Sequence, residues 1–307
     1  MHLSESTESL SSLQNQNELS KRVYPVYNNN NIYVTKDIIE NILKIGGVTK
    51  NISNLDIWQK AFINKSYCKN TDRVKMEKFY GSLSEIDDEI NMETVMPLYE
   101  DSNEVFEWLG DGIIQSVVAV YLCKRFKNQR EGFLTKLRSK LVKTESLSKF
   151  ALFLGFDKYL VISKHVEIVC NGRKNSRILE DCFEAFIGAL MMDFGFEQDG
   201  YKLCSQFIIN IIEKSVDITE LIIHDDNFKD QLMKHFQKIF GGKFPIYEQK
   251  LVANEVTENG VINKRFHMFV CEPEGKVIGE GVARSKKEAE QKAAKSALMH
   301  YGLIHNF

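Results

Sequence analysis

The sequence predicts a large all-α domain followed by a small α-β-β-β-α domain, and two patterns draw that division. From Asn103 to about residue 214 apolar residues recur at helical spacing, with no convincing period-2 set of strands. Beyond residue 226 three strand-like runs lie between two helical ones. A length of 307 residues leaves room for both domains, and 43% apolar with 27% charged residues is the balance of a soluble globular protein. The formal net charge of -2 points to no partner, so the placement of the charges must identify one.

Taken in order, residues 1–33 are rich in Ser, Asn and Gln and read as a loosely ordered arm, with structure expected from about Val34. Thr35 is placed to cap a helix through Leu43, with Asp37 in its first turn and Gly46-Gly47 behind it. Residues 55–66 supply a second amphipathic segment. Residues 68–102, of mixed charge and weak periodicity with Gly81 and Pro97, read as an insertion that could hold a short helix at 74–80. Helices are expected at about 104–127, 131–140, 143–153, 176–194 and 198–214, separated by loops near 128–130, 156–161 and 171–174. The all-α domain then covers 34–215, and 216–226 is its linker to the small domain at 227–303. There a helix over 227–240 stops at Gly241-Gly242, and strands follow at 246–253, 264–271 and 276–282. A last helix runs from Ser285 to about His300, with Ser285 as N-cap and Glu288 at the capping-box position.

Cys68, Cys123, Cys170, Cys182, Cys204 and Cys271 form no CxxC pair, and several sit in helical apolar patterns. They read as free thiols of an intracellular, reducing compartment, cytoplasm or nucleus, rather than as zinc ligands or a disulfide framework. The N-terminal stretch lacks the apolar core of a signal peptide and contains acids unlike a mitochondrial presequence. Apolar runs such as residues 207–212 fall far short of a membrane span, so no membrane association is expected.

The chemistry is concentrated in NEVFEWLGDG at 103–112 and ILEDCFEAFIGAL at 178–190. Glu104, Glu107 and Asp111 stand at i, i+3 and i+7 of one helix, and Asp181 and Glu184 at i, i+3 of another. Acids inside otherwise apolar helices are costly unless something neutralises them, and a divalent metal shared by the two helices would do so. A two-metal hydrolytic site needs several carboxylates around ions about 3.5–4 Å apart. Oxygen ligands suit Mg²⁺, with Mn²⁺ as a substitute, better than zinc. Gly110, Gly112 and Gly188 cost roughly 1 kcal/mol each inside a helix. They therefore suggest close backbone contact, between helices or with a ligand. The alternative for the acids, a solvated helix face, stays open on spacing alone.

NEVFEWLGDG resembles the signature of the ribonuclease III family, EGFLTKLRSKLV at 131–142 resembles its next block, and LEDCFEAFIGALMMD at 179–193 the third. The blocks occur in the family's order, and the resemblance covers roughly residues 35–307, with the N-terminal arm and 68–102 outside it. It implies an all-α ribonuclease III domain that dimerises, with Glu107, Asp111, Asp181 and Glu184 as catalytic metal-binding carboxylates. Glu104 then has a supporting role in local structure or RNA contact. Glu131 matches a glutamate near the family's dimer interface and substrate, beside its other reading as a first-turn acid. Arg138 and Lys140 are phosphate or salt-bridge candidates. AFINKSY at 61–67 departs from the family in having Asn64 where histidine is common.

The tail resembles the double-stranded RNA-binding domain. Lys286 and Lys287 oppose the macrodipole of the last helix, yet stand beside unpaired N–H groups where phosphate contacts belong. Gln231 matches a minor-groove position of the first helix, and recognition in this family reads A-form shape rather than sequence. Ile262 stands where the family commonly has histidine, within NGVI at 259–262. The whole implies a Mg²⁺-dependent endoribonuclease that cuts double-stranded RNA as a homodimer, leaving 5′-phosphate and 3′-hydroxyl ends with a short 3′ overhang. The competing readings are a noncatalytic RNA scaffold and an RNA-binding adaptor.

Overall fold

The computed structural model describes residues 26–69, 94–223, 227–256 and 262–304. The expected short helix at 74–80 and most of the NGVI loop lie outside them. The chain divides into two compact units at Ile218/Thr219.

The first unit contains α1 (Lys36–Ile45), α2 (Leu55–Ala61), α3 (Glu104–Arg125), α4 (Glu131–Leu141), α5 (Thr144–Phe153), α6 (Lys164–Val169), α7 (Ser176–Phe194) and α8 (Gly200–Ser215). Thr35 caps α1 by accepting from Ile38 N at 3.4 Å. α7 is the central helix: Leu179 and every residue from Cys182 to Met191 are buried, so it is enclosed on all sides. α3 packs along it through Phe106, Ile113, Ile114, Val117 and Val118. Phe186 of α7 holds the aromatic centre, 4.9 Å from Trp58, 5.0 Å from Phe156 and 5.4 Å from Phe207. Lower on α7, Asp193 accepts from Trp58 Nε1 at 3.0 Å and from Asn54 N at 3.0 Å, which fixes the start of α2. α3, at 22 residues with a mean hydropathy of 1.3, is long and apolar enough to cross a membrane. Here its apolar face is taken up by the α7 contact, as befits a core helix.

Several details depart from the sequence reading. Order begins before Val34: Val26 is buried, and the amides of Asn28 and Asn31 each donate to Ile162 O at 3.0 Å. The amphipathic segment read over 55–66 is helical only to Ala61, because Phe62 O and Asn64 N pair with Val161 instead. Asn64 Oδ1 then accepts from Ser66 N at 3.0 Å and caps a 3-10 turn, Lys65–Tyr67. α6 lies in a stretch assigned to no element, where six residues are too short to display a period. The described ends of the 68–102 excursion are anchored: Cys68 bridges to Tyr99, and Tyr67 OH donates to Met96 O at 2.6 Å between buried side chains. A further helix, α9 (Ile218–Ile223), occupies the stretch read as linker.

The second unit runs α10 (Phe228–Ile239), β1 (Ile246–Val256), β2 (Ile262–Cys271), β3 (Val277–Ala283) and α11 (Lys286–His300). The sheet is antiparallel in the order β1-β2-β3, with Tyr247 opposite Val270 and Phe269 opposite Glu280. Leu232 and Phe236 of α10, Met268, Val270 and Ile278 of the sheet, and Ala289, Ala293, Ala294 and Ala297 of α11 form one core. These small alanines let α11 lie close against β3.

Candidate active site

Two helices that meet at glycines build the site. A Cβ on Gly110 of α3 would lie 1.8 Å from Glu184 O, and one on Gly188 of α7 would lie 2.2 Å from Phe106 O. These reciprocal contacts press backbone against backbone and set Glu107, one turn before Gly110, opposite Glu184, one turn before Gly188. Gly112 meets nothing within 4 Å and has no part in the contact. One carboxylate oxygen from each of Glu107, Asp181 and Glu184 lies within 4.8 Å of the others. Glu184 is only 8% exposed, a rare state for an acid with no cation bound to it.

Asp111 does not join that group. It is exposed, and its Oδ1 accepts from Gln115 Nε2 at 3.2 Å along the same helix. The sequence-expected set of four is therefore three clustered carboxylates with Asp111 at the flank. Burial pushes the Glu184 carboxyl up to about 8, reinforced first by Asp111 and then by Glu180, Glu107 and Asp181. Glu107 is also raised, by burial and then by Asp181 and Glu104, with Lys65 acting against them. Burial raises Asp181 too, and there Lys65 and Arg177 pull the other way. Glu180 is raised by burial, partly offset by its hydrogen bond with Thr144. Acids are thus withdrawn from water with too little positive charge beside them, and every clustered donor is oxygen. That environment fits a hard divalent cation.

Sequence reasoning missed Glu180, Lys65 and Arg177. Glu180 adjoins Asp181 and could have been found there, but no pattern tied Lys65 to α7 across more than 100 residues. Glu104 is exposed, accepts from Ser102 Oγ at 3.0 Å, and pairs with Lys65 Nζ at 3.5 Å. Glu131 is also outside the cluster, exposed in the first turn of α4 and accepting from Thr135 Oγ1 at 2.7 Å. Arg138 is half-buried near the end of α4.

In the second unit Lys286 and Lys287 are exposed in the first turn of α11, which Ser285 caps by accepting from Glu288 N at 3.3 Å. The capping box is left half-made, since the Glu288 carboxylate pairs with Lys292 Nζ at 3.0 Å. Gln231 is half-buried on α10. Ile262 opens β2 opposite Val256.

A helical unit with an acidic, metal-suited cluster, followed by an α-β-β-β-α unit, defines a nuclease-like domain joined to an RNA-binding fold. Residues 104–195 match the ribonuclease III domain, and residues 228–301 match the double-stranded RNA binding motif. The chain is 36% identical over 213 residues to a probable ribonuclease 3 of Acanthamoeba polyphaga mimivirus, covering 68% of this chain and 37% of that protein. It is 39% identical over 206 residues to ribonuclease 3 of Geobacillus kaustophilus, covering 66% of this chain and 76% of that one. A solved nuclease domain of ribonuclease III from Campylobacter jejuni aligns at 25% identity with a TM-score of 0.43, over 59% of this chain and 97% of that one. The chain belongs to the ribonuclease III family, the double-strand-specific endoribonucleases, in its form with one nuclease domain and one C-terminal RNA-binding motif.

Proposed function

We propose that the chain cuts double-stranded RNA through a Mg²⁺ site held by Glu107, Asp181 and Glu184, with Asp111 at its flank. The ion, when bound, supplies an activated water for attack at phosphorus and charge stabilisation for the departing 3′-oxygen. Glu184 holds its carboxylate in a fixed, water-poor position through the α3–α7 contact, and Glu107 and Asp181 complete the donor set. Lys286 and Lys287 hold phosphates of the duplex while Gln231 addresses its minor groove, so that shape selects the substrate. By family likeness the products carry 5′-phosphate and 3′-hydroxyl ends with a short 3′ overhang.

The active form is a homodimer through the all-α domain. Its support is the exposure of Val105 at 68% and Trp108 at 79%, on the helix that carries Glu107. Glu131 and Arg138 have supporting roles in substrate approach. The six cysteines are all free, in keeping with a reducing intracellular setting.

The observation that carries the activity is the buried Glu184 among Glu107, Asp181 and Asp111 without matching positive charge. Glu184→Gln should lower magnesium-dependent cleavage of long duplex RNA by at least about a hundredfold, the scale of losing one electrostatic partner of a transition state. Duplex binding in a gel-shift titration and dimer mass should persist. Full cleavage by the variant would defeat the assignment and favour the noncatalytic scaffold.

A further inference from the structure

We propose that Lys65 is a substrate-positioning cation of the nuclease unit, gripping a backbone phosphate of the RNA strand that reaches the carboxylate cluster. The inference rests on the proposed activity and adds to it a residue outside the acidic helices.

The mount of Lys65 is unusually well fixed for so exposed a side chain. Asn64 N donates to Val161 O at 3.0 Å, Ser163 N donates to Ser66 Oγ at 3.1 Å, and Asn103 N donates to Ile63 O at 2.9 Å. Tyr67, wholly buried, donates to Met96 O at 2.6 Å on the far side. The backbone on either side of Lys65 is therefore tied to two other parts of the fold. The side chain itself is 74% exposed, and it makes a 3.5 Å ion pair with Glu104, whose carboxylate is 60% exposed.

An exposed pair of that length contributes about 0–1 kcal/mol, too little to account for so rigid a turn. What the turn does accomplish is placement. The partner Glu104 stands one turn before Glu107 on α3, so the Lys65 ammonium lies beside the stretch of helix that carries the site. An RNA strand approaching clustered carboxylates meets repulsion wherever its phosphates extend beyond the bound cation. A mobile ammonium on a fixed base, held loosely by Glu104, can transfer to such a phosphate at little cost. Glu104 then parks the lysine in the free protein.

The test uses the full chain, a duplex RNA, and Lys65→Ala and Lys65→Arg variants. Binding is titrated across salt concentrations in calcium, a hard cation that oxygen ligands accept. Removal of one phosphate contact should flatten the slope of log affinity against log salt by about 0.7–0.9 in Lys65→Ala. In magnesium the same variant should raise KM by roughly three- to tenfold, the cost of one such contact over ordinary salt. The effect on kcat should be much smaller, Lys65→Arg should restore both readings, and thermal midpoints should match wild type. An unchanged salt slope, a loss confined to kcat, or no rescue by arginine would overturn the proposal. If the wild-type chain fails to cut duplex RNA, the proposed activity falls, while the salt slope still decides whether Lys65 holds a phosphate.

Discussion

Glu184 shows at the scale of one residue how a structural cost becomes a functional property. Its carboxyl is raised to about 8 by burial and neighbouring acids, so the folded chain binds a proton that the unfolded chain releases near its ordinary value. Stability from this group is fully present below the unfolded value and is lost as pH rises toward about 8. The thermal midpoint of the metal-free protein should therefore fall between about pH 5 and pH 8, the interval set by the ordinary and raised carboxyl values. Glu184→Gln should flatten that fall, and magnesium should reverse it at pH 8. Since the ion needs the ionised carboxylate, apparent magnesium affinity should tighten as pH rises, which calorimetry at a series of pH values can read. A metal-free midpoint that rises over this range would contradict the assignment. The acids of the site were legible because they recur at one-turn spacing on two apolar helices. Asp111 shares that spacing yet turns to Gln115, and spacing cannot tell a carboxylate aimed inward from one held along its own helix.

The element scale is governed by the crossing of α3 and α7. Both glycines of that crossing are intolerant for a geometric reason: a Cβ at Gly110 or Gly188 runs into backbone, which cannot rotate away as a side chain can. Gly110→Ala and Gly188→Ala should each cost about 3 kcal/mol or more in denaturant unfolding, at the upper end of overpacking penalties. Cleavage should fall with them, because separating the helices pulls Glu107 from Glu184. Gly112→Ala, with open space around it, should be neutral or stabilising by about 1 kcal/mol, the ordinary helix preference for alanine. Equal penalties at all three positions would argue against the crossing. Sequence reading foresaw close contact at these glycines but could not choose between a neighbouring helix and a ligand. It found α3 and α7 readily, since they sustain their patterns over about six and about five turns. It ran past Ala61 because hydrogen bonds to Val161, a hundred residues away, overrule local helical preference. It missed the anchoring of Asn28 and Asn31 for the same reason: an Asn-rich stretch has no period, and its partner, the Ile162 backbone, leaves no mark in it.

For the whole molecule, the division at Ile218/Thr219 places the two tasks on different units. All the clustered carboxylates precede that point, and Lys286 and Lys287 follow it. Phosphate contact and bond cleavage should therefore be separable by mutation. Replacing both Lys286 and Lys287 with alanine should weaken duplex binding to a similar extent for unrelated sequences, since phosphates carry no sequence information. Without the two ammonium–phosphate pairs, the salt slope should flatten by about 1.4–1.8. The fold should survive, because both side chains are exposed and oppose the helix dipole, so their removal relieves α11 rather than straining it. Cleavage should then show a raised KM with its magnesium requirement intact and turnover recovered at saturating RNA, the inverse of Glu184→Gln. Combining the two changes should add their separate effects, as expected for residues of separate compact units that act on different steps. A double-lysine variant that binds duplex RNA normally would mean that the phosphates are held elsewhere in the chain. One that stays inactive at saturating RNA would mean that the RNA-binding unit takes part in the cleavage step itself.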